Sequence, residues 1–190
     1  SRATKIIIEE VSLREKHREV LYRFGFLNRE GKLQKLILRG NVTKAQLSQY
    51  CLDNNVQIDV PDLNNDIRLF EFERFLFPLK IYDLNIPCYV IPIKPKWAQE
   101  LFDTKEAGSM LFGVDITRLW NVENVYYRSA RTLTEVVPAR ILWYVSADKH
   151  YSRNKGIVAT SYLEEVITGL PKDLFRKFKH YGIYKWEDIY

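Results

Sequence analysis

Two stretches, Ile91-Pro92-Ile93-Lys94-Pro95-Lys96-Trp97 and Arg140-Ile141-Leu142-Trp143-Tyr144-Val145-Ser146, set cations, aromatic rings and a hydroxyl among strand-forming residues. Positive side chains grip an anionic backbone and flat rings stack bases, so this combination is the chemistry of nucleic-acid recognition. Lys94 stands between Pro92 and Pro95, and the restricted backbone lets its ammonium meet a phosphate with little further ordering. Trp97, one turn into the helix expected next, either walls a base pocket or packs on the sheet. In Asn124-Val125-Tyr126-Tyr127-Arg128-Ser129 a two-residue period puts Tyr126 and Arg128 on one face and Tyr127 on the other. A tyrosine beside an arginine can stack a base and fork onto a phosphate, although half-buried sheet aromatics give the same pattern. The same period pairs Tyr144 with Ser146, assigned to a cleft, and Trp143 with Val145, assigned to the core. With Arg131 as a further cation, the candidate nucleic-acid-binding residues are Lys94, Trp97, Tyr126, Arg128, Arg131, Tyr144 and Ser146.

Charge supports this placement. The chain carries a net +5, and residues 118–155 hold seven cations against three anions, so most of the surplus sits in one stretch. A basic concave face there would attract phosphates, while a solvated surface with incidental charge is the plainer alternative. Other chemistries find little support. His17, His150 and His180 have no serine or cysteine neighbour at a spacing that marks a nucleophile and base. Glu164 and Glu165 are adjacent on an expected strand and point to opposite faces. Cys51 and Cys88 lack the paired spacing of a zinc site or disulfide framework and read as buried, reduced thiols. No catalytic residue, metal or cofactor is expected. No apolar run reaches the roughly 18 residues of a membrane span, and Ser1-Arg2-Ala3-Thr4-Lys5 lacks the features of a secretory signal. A cytoplasmic location is the expectation.

The elements that must position these residues follow from periodicity and caps. Lys5-Ile6-Ile7-Ile8-Glu9-Glu10-Val11 has the β-branched run of a strand, and Ser12 with Glu15 forms a capping box for a helix ending at Gly25. Residues 32–39 alternate as a second strand, and Thr43 caps a helix reaching about Asn54. Residues 53–65, rich in Asp and Asn, read as a loop and a domain boundary. Residues 69–77, with four phenylalanines, have an ambiguous period in which a helix is favoured over a strand, and Pro78 ends it. Beyond Pro87 the pattern predicts strands at 88–93, 122–129, 140–146 and 156–167, with helices at 96–103 and 171–181. Tyr181, Tyr184, Trp186 and Tyr190 read as closing a small curved β-barrel with helical plugs rather than as a ligand box.

Ile91-Pro92-Ile93-Lys94-Pro95-Lys96-Trp97-Ala98 occupies the place of an Ile-Lys-Pro strand end followed by a short helix. Asn124 to Ser129, Ile141 to Ser146 and Gly156-Ile157-Val158-Ala159-Thr160-Ser161 follow in matching order. On these segments residues 87–190 resemble the ASCH and EVE branch of the PUA-like superfamily. The resemblance implies a β-barrel that binds RNA or modified bases in a cleft between barrel and helices. It places Lys94 on the basic cleft position, Arg128 on the arginine position, and Tyr144 and Ser146 on cleft-lining strand positions. The Gly-Glu-Lys-Thr and Glu-x-Arg motifs are absent, since residues 103–109 read Asp-Thr-Lys-Glu-Ala-Gly-Ser, so the amidohydrolase activity of some members is not implied. The first forty residues, through Tyr22-Arg23-Phe24-Gly25-Phe26, resemble the tail of a GNAT-type acetyltransferase. No Gly-x-Gly occurs among the eight glycines, so this stretch by itself is not expected to bind acetyl-CoA.

These readings predict an α+β chain: a small α/β unit over 1–60, a linker helix over 61–86, and a PUA-like, ASCH/EVE-type β-barrel with flanking helices over 87–190. The expected function is a nucleic-acid-binding module for RNA or a modified base rather than duplex DNA. Two alternatives stay open: the carboxy-terminal part of a GNAT-type N-acetyltransferase whose barrel targets substrate, and a protein-interaction domain.

Overall fold

The computed structural model describes residues 5–9, 14–56, 58–102, 123–129, 135–146 and 155–189. The chain divides into two compact units, Ser1–Ile86 and Pro87–Tyr190. The class is mixed α+β, with five α-helices and three small sheets among the described residues, none of them closed into a barrel.

In the first unit, β1 (Lys5–Glu9), β2 (Leu27–Arg29) and β3 (Lys32–Leu36) form an antiparallel sheet in the order β1-β3-β2. Helix α1 (Glu15–Arg23) has Arg14 at its N-cap without a side-chain bond, and the Ser12 cap expected from sequence lies outside the described residues. The hairpin β2-β3 turns on Glu30 and Gly31, both at positive φ, and pairs Arg29 with Lys32. Such a two-residue turn matches the twist of the strands it joins. Gly25 ends α1 at φ +79, where an added Cβ would lie 2.5 Å from the Phe75 carbonyl oxygen.

A second layer consists of β4 (Asn41–Val42), α2 (Lys44–Asp53), α3 (Asp66–Leu76) and β5 (Lys80–Ile81), with β4 and β5 parallel. Thr43 and Gln46 complete a capping box on α2, as their spacing predicts. The helix read as a linker is core: Leu69, Phe72 and Leu76 pack with Leu47, Cys51, Leu79 and Ile81. The supposed boundary loop joins them through Val56, Ile58, Val60 and Leu63. Glu73, 2 % exposed, is satisfied by the Lys80 ammonium at 2.9 Å and the Ile81 amide at 2.8 Å, so α3 and β5 are tied by a paired charge. Lys35, also buried, donates to the Phe24 and Phe75 carbonyls, and burial pushes its pKa down.

The second unit is built on β6 (Cys88–Ile93), β7 (Ala139–Val145) and β8 (Gly156–Leu163), in the order β6-β7-β8. The first pair is parallel and the second antiparallel, with an irregularity at Trp143/Tyr144. Helix α4 (Pro95–Phe102) leaves directly from β6, and α5 (Pro171–Phe178) precedes a short 3₁₀ turn at Trp186–Asp188. Three expectations change here. The expected strand at 122–129 has no regular structure over its described part, 123–129. The last strand stops at Leu163, which leaves Glu164 and Glu165 beyond the sheet. In place of a closed barrel stands, among the described residues, one three-stranded sheet whose outer strands pair only with β7.

Candidate nucleic-acid interface

The burial of β7 alternates residue by residue, and that alternation splits the sheet into two unlike faces. Ile141, Trp143 and Val145 lie on the covered face with Ile91, Ile93 and Ala98, joined by Trp97, Leu101, Phe102, Tyr126 and Leu163. Arg140, Leu142 and Tyr144 lie on the other face. The register places Tyr162 opposite Arg140, Thr160 opposite Leu142 and Ile157 opposite Tyr144, with Val90 and Pro92 on the β6 side. The edge strands leave this face open, with Val90 58 % and Ile157 53 % exposed and Cys88, expected to be buried, exposed as well, while Arg140, Leu142 and Tyr144 on the central strand are half-buried.

The covered face holds a connected set of rings. Trp97 meets Tyr184 at 4.7 Å between centroids, Tyr126 meets Trp143 edge-on at 5.0 Å, and Phe102 meets Trp143 at 5.6 Å. Tyr184 also contacts Tyr126 and Tyr127, and Phe175 links Tyr127 to Trp186. Tilted and edge-on contacts of this kind add to the burial of the rings themselves. Burial pushes the Tyr184 hydroxyl far above the ordinary phenol range, with Tyr126, Glu100 and Asp188 adding to it. The Tyr127 and Tyr184 hydroxyls are buried without a hydrogen-bond partner among the described residues.

The six described residues of the seven singled out in the sequence therefore do not share one face. Trp97 and Tyr126 belong to the covered face. The Tyr126 hydroxyl donates to the Pro92 carbonyl at 3.0 Å, and burial raises its pKa while Arg128 partly opposes the rise. The Lys96 ammonium, not Lys94, sits over the Trp97 ring, at 4.2 Å. Arg128 is ion-paired with Glu135, a largely buried carboxylate, and its charge is thereby committed. Tyr144 and Ser146 fall on the accessible side, where the Ser146 amide donates to the Ile93 carbonyl at 3.3 Å. Lys94 is exposed where β6 ends, and its carbonyl accepts the Ala98 amide at 3.0 Å to open α4. Arg131 lies outside the described residues.

What the sequence reading missed is the company Tyr144 keeps. The period that selects Tyr144 also puts Arg140 on its face, and the β7-β8 register brings in Tyr162 and Thr160. Two tyrosines, an arginine and a hydroxyl on an extended sheet surface can stack unpaired bases and meet phosphates. Among the described residues no His, Cys, Asp or Glu cluster could hold a metal, and no helix is long and apolar enough to cross a membrane. No family model matches the chain, and neither a curated protein nor a solved structure is significantly similar to it.

Proposed function

We propose that the second unit binds single-stranded nucleic acid, RNA before duplex DNA, across the accessible face of the β6-β7-β8 sheet. The observation that supports this reading is the division of aromatic labour: Trp143 and Tyr126 build the core, while Tyr144 lies on the opposite face of the sheet, between Pro92 and Ile157, with Thr160 and Tyr162 further along that face. A three-stranded sheet surface can accept splayed, unpaired bases, which a duplex keeps stacked and paired. Lys94, at the end of β6, supplies a phosphate contact at the rim. Arg128, committed to Glu135, supports the fold rather than the ligand. The reading requires no closed barrel and no chemistry beyond binding.

Fluorescence anisotropy with a labelled single-stranded RNA of about 10 nucleotides tests it. The expected result is salt-dependent binding that Tyr144→Ala weakens by about 1–3 kcal/mol, the usual worth of one stacked base, and that Tyr144→Phe largely retains. Binding that is absent, insensitive to salt, or unchanged in Tyr144→Ala defeats the proposal.

A further inference from the structure

Strand β1 ends the first sheet, and among the described residues only β3 pairs with it. Edge strands of soluble proteins are blunted by inward charges, proline or bulges, because their unpaired amides and carbonyls recruit other strands. β1 is short and begins on a lysine, but it has no proline or bulge and no charge between its ends. It reads Lys5-Ile6-Ile7-Ile8-Glu9, with charge only at its ends. Three successive isoleucines put apolar side chains on both faces of the sheet. Only Ile8 finds partial cover, against Leu21, Phe26 and Leu33, while Ile6 is 42 % and Ile7 46 % exposed.

The order of residues says what fits this edge. An antiparallel strand of the same sequence, centred on Ile7, sets Lys5 opposite Glu9, Ile6 opposite Ile8 and Ile7 opposite its own copy. Every isoleucine then meets an isoleucine, and each terminal charge meets its opposite on the same face. The Glu9 carboxylate has room for a second cation: it already accepts from Lys32 at 3.1 Å, yet its side chain stays 70 % exposed. A parallel pairing would set Lys5 against Lys5 and Glu9 against Glu9, which like-charge repulsion disfavours. We infer that β1 is a self-pairing edge: two copies of the chain join antiparallel across a two-fold axis at Ile7, making one continuous six-stranded sheet from two three-stranded ones. A contact through one five-residue strand on each copy is small, so the dimer is weak, with a dissociation constant on the order of 10 μM.

Sedimentation velocity over a concentration series tests it, with circular dichroism reporting the fold of each variant. Wild-type chain is expected to shift from monomer to dimer across the micromolar range. Ile7→Lys, which sets two ammonium groups face to face on the axis, is expected to remain monomeric. A charge exchange then tests the register. Lys5→Glu alone and Glu9→Lys alone each oppose like charges in a homodimer, whereas an equimolar mixture of the two restores both ion pairs. Each variant alone should be monomeric and the mixture dimeric. A wild-type chain that stays monomeric, and so leaves the edge to a strand from elsewhere, overturns the inference. So does a dimer that survives Ile7→Lys, or a mixture that gains no dimer.

Discussion

The two faces of the β6-β7-β8 sheet are built from the same kinds of residue and differ in how they are covered. On one face Trp143 is enclosed by Tyr126, Phe102, Ile91 and Ile93. On the other, one residue along, Tyr144 has Pro92 on one side and Ile157 on the other, and the neighbouring Val90 lies open. Which side of the pleat a ring occupies, rather than which ring it is, separates the packed rings from those of the proposed binding face. Residues that resemble binding groups in sequence are used elsewhere: Tyr126 and Trp97 pack on the covered face, and Arg128 pairs with Glu135.

The sharpest way to break this contrast is to exchange the effects of neighbouring substitutions. Trp143→Ala should cost the second unit about 3–5 kcal/mol in urea unfolding, as large aromatic deletions from a core do. Tyr144→Ala should leave stability within about 1 kcal/mol of wild type and act on RNA affinity instead. Comparable stability losses at both positions would abolish the distinction between the faces. Arg128→Ala comes next, with an expected stability loss of about 1–3 kcal/mol, because it strands the largely buried Glu135 carboxylate. Its RNA affinity should be unchanged, and a matching loss of affinity would return Arg128 to the binding surface.

Alkaline pH probes the covered face without substitution. Folded Tyr184, and to a lesser degree Tyr126 and Tyr127, hold their protons above the unfolded phenol value of 10.0. Above that value the folded state binds more protons than the unfolded one, so stability is full below it and falls as pH rises beyond it. Buried Lys35 works in the opposite sense, its lowered pKa making stability rise with pH up to its unfolded value of 10.5. Thermal melts should therefore show a steeper alkaline loss in wild type than in Tyr184→Phe, which lacks the titrating hydroxyl. Equal slopes would mean that the phenol is solvated. The smallest effect belongs to Lys94→Ala: a reduction of about 0.7 in the slope of log affinity against log salt, the contribution of one phosphate contact to a single strand.

Local signals carried much of the fold. Thr43 and Gln46 announce α2, Gly25 ends α1, and the alternation of residues 139–145 gives β7 and the burial of Trp143 and Val145. β2 was not legible, because its hairpin turns on Glu30 in a left-handed conformation where asparagine or aspartate would have marked it. The 53–65 segment reads as a boundary because its polar residues mask Val56, Ile58, Val60 and Leu63, which the core recruits. The site was half legible for a related reason. Periodicity finds the face of Tyr144, but assigning Tyr162 needs the cross-strand register, and the commitment of Arg128 depends on Glu135, seven residues away. Neither is a local property of the sequence.

The most direct measurement is photocrosslinking of wild-type chain to a thiouridine-containing single-stranded RNA, with the modified peptides read by mass spectrometry. The account predicts adducts on the β7 and β8 peptides that carry Tyr144 and Tyr162. Adducts confined to the basic helix Pro171–Phe178 or to the first unit, with β7 and β8 unmodified, would contradict it.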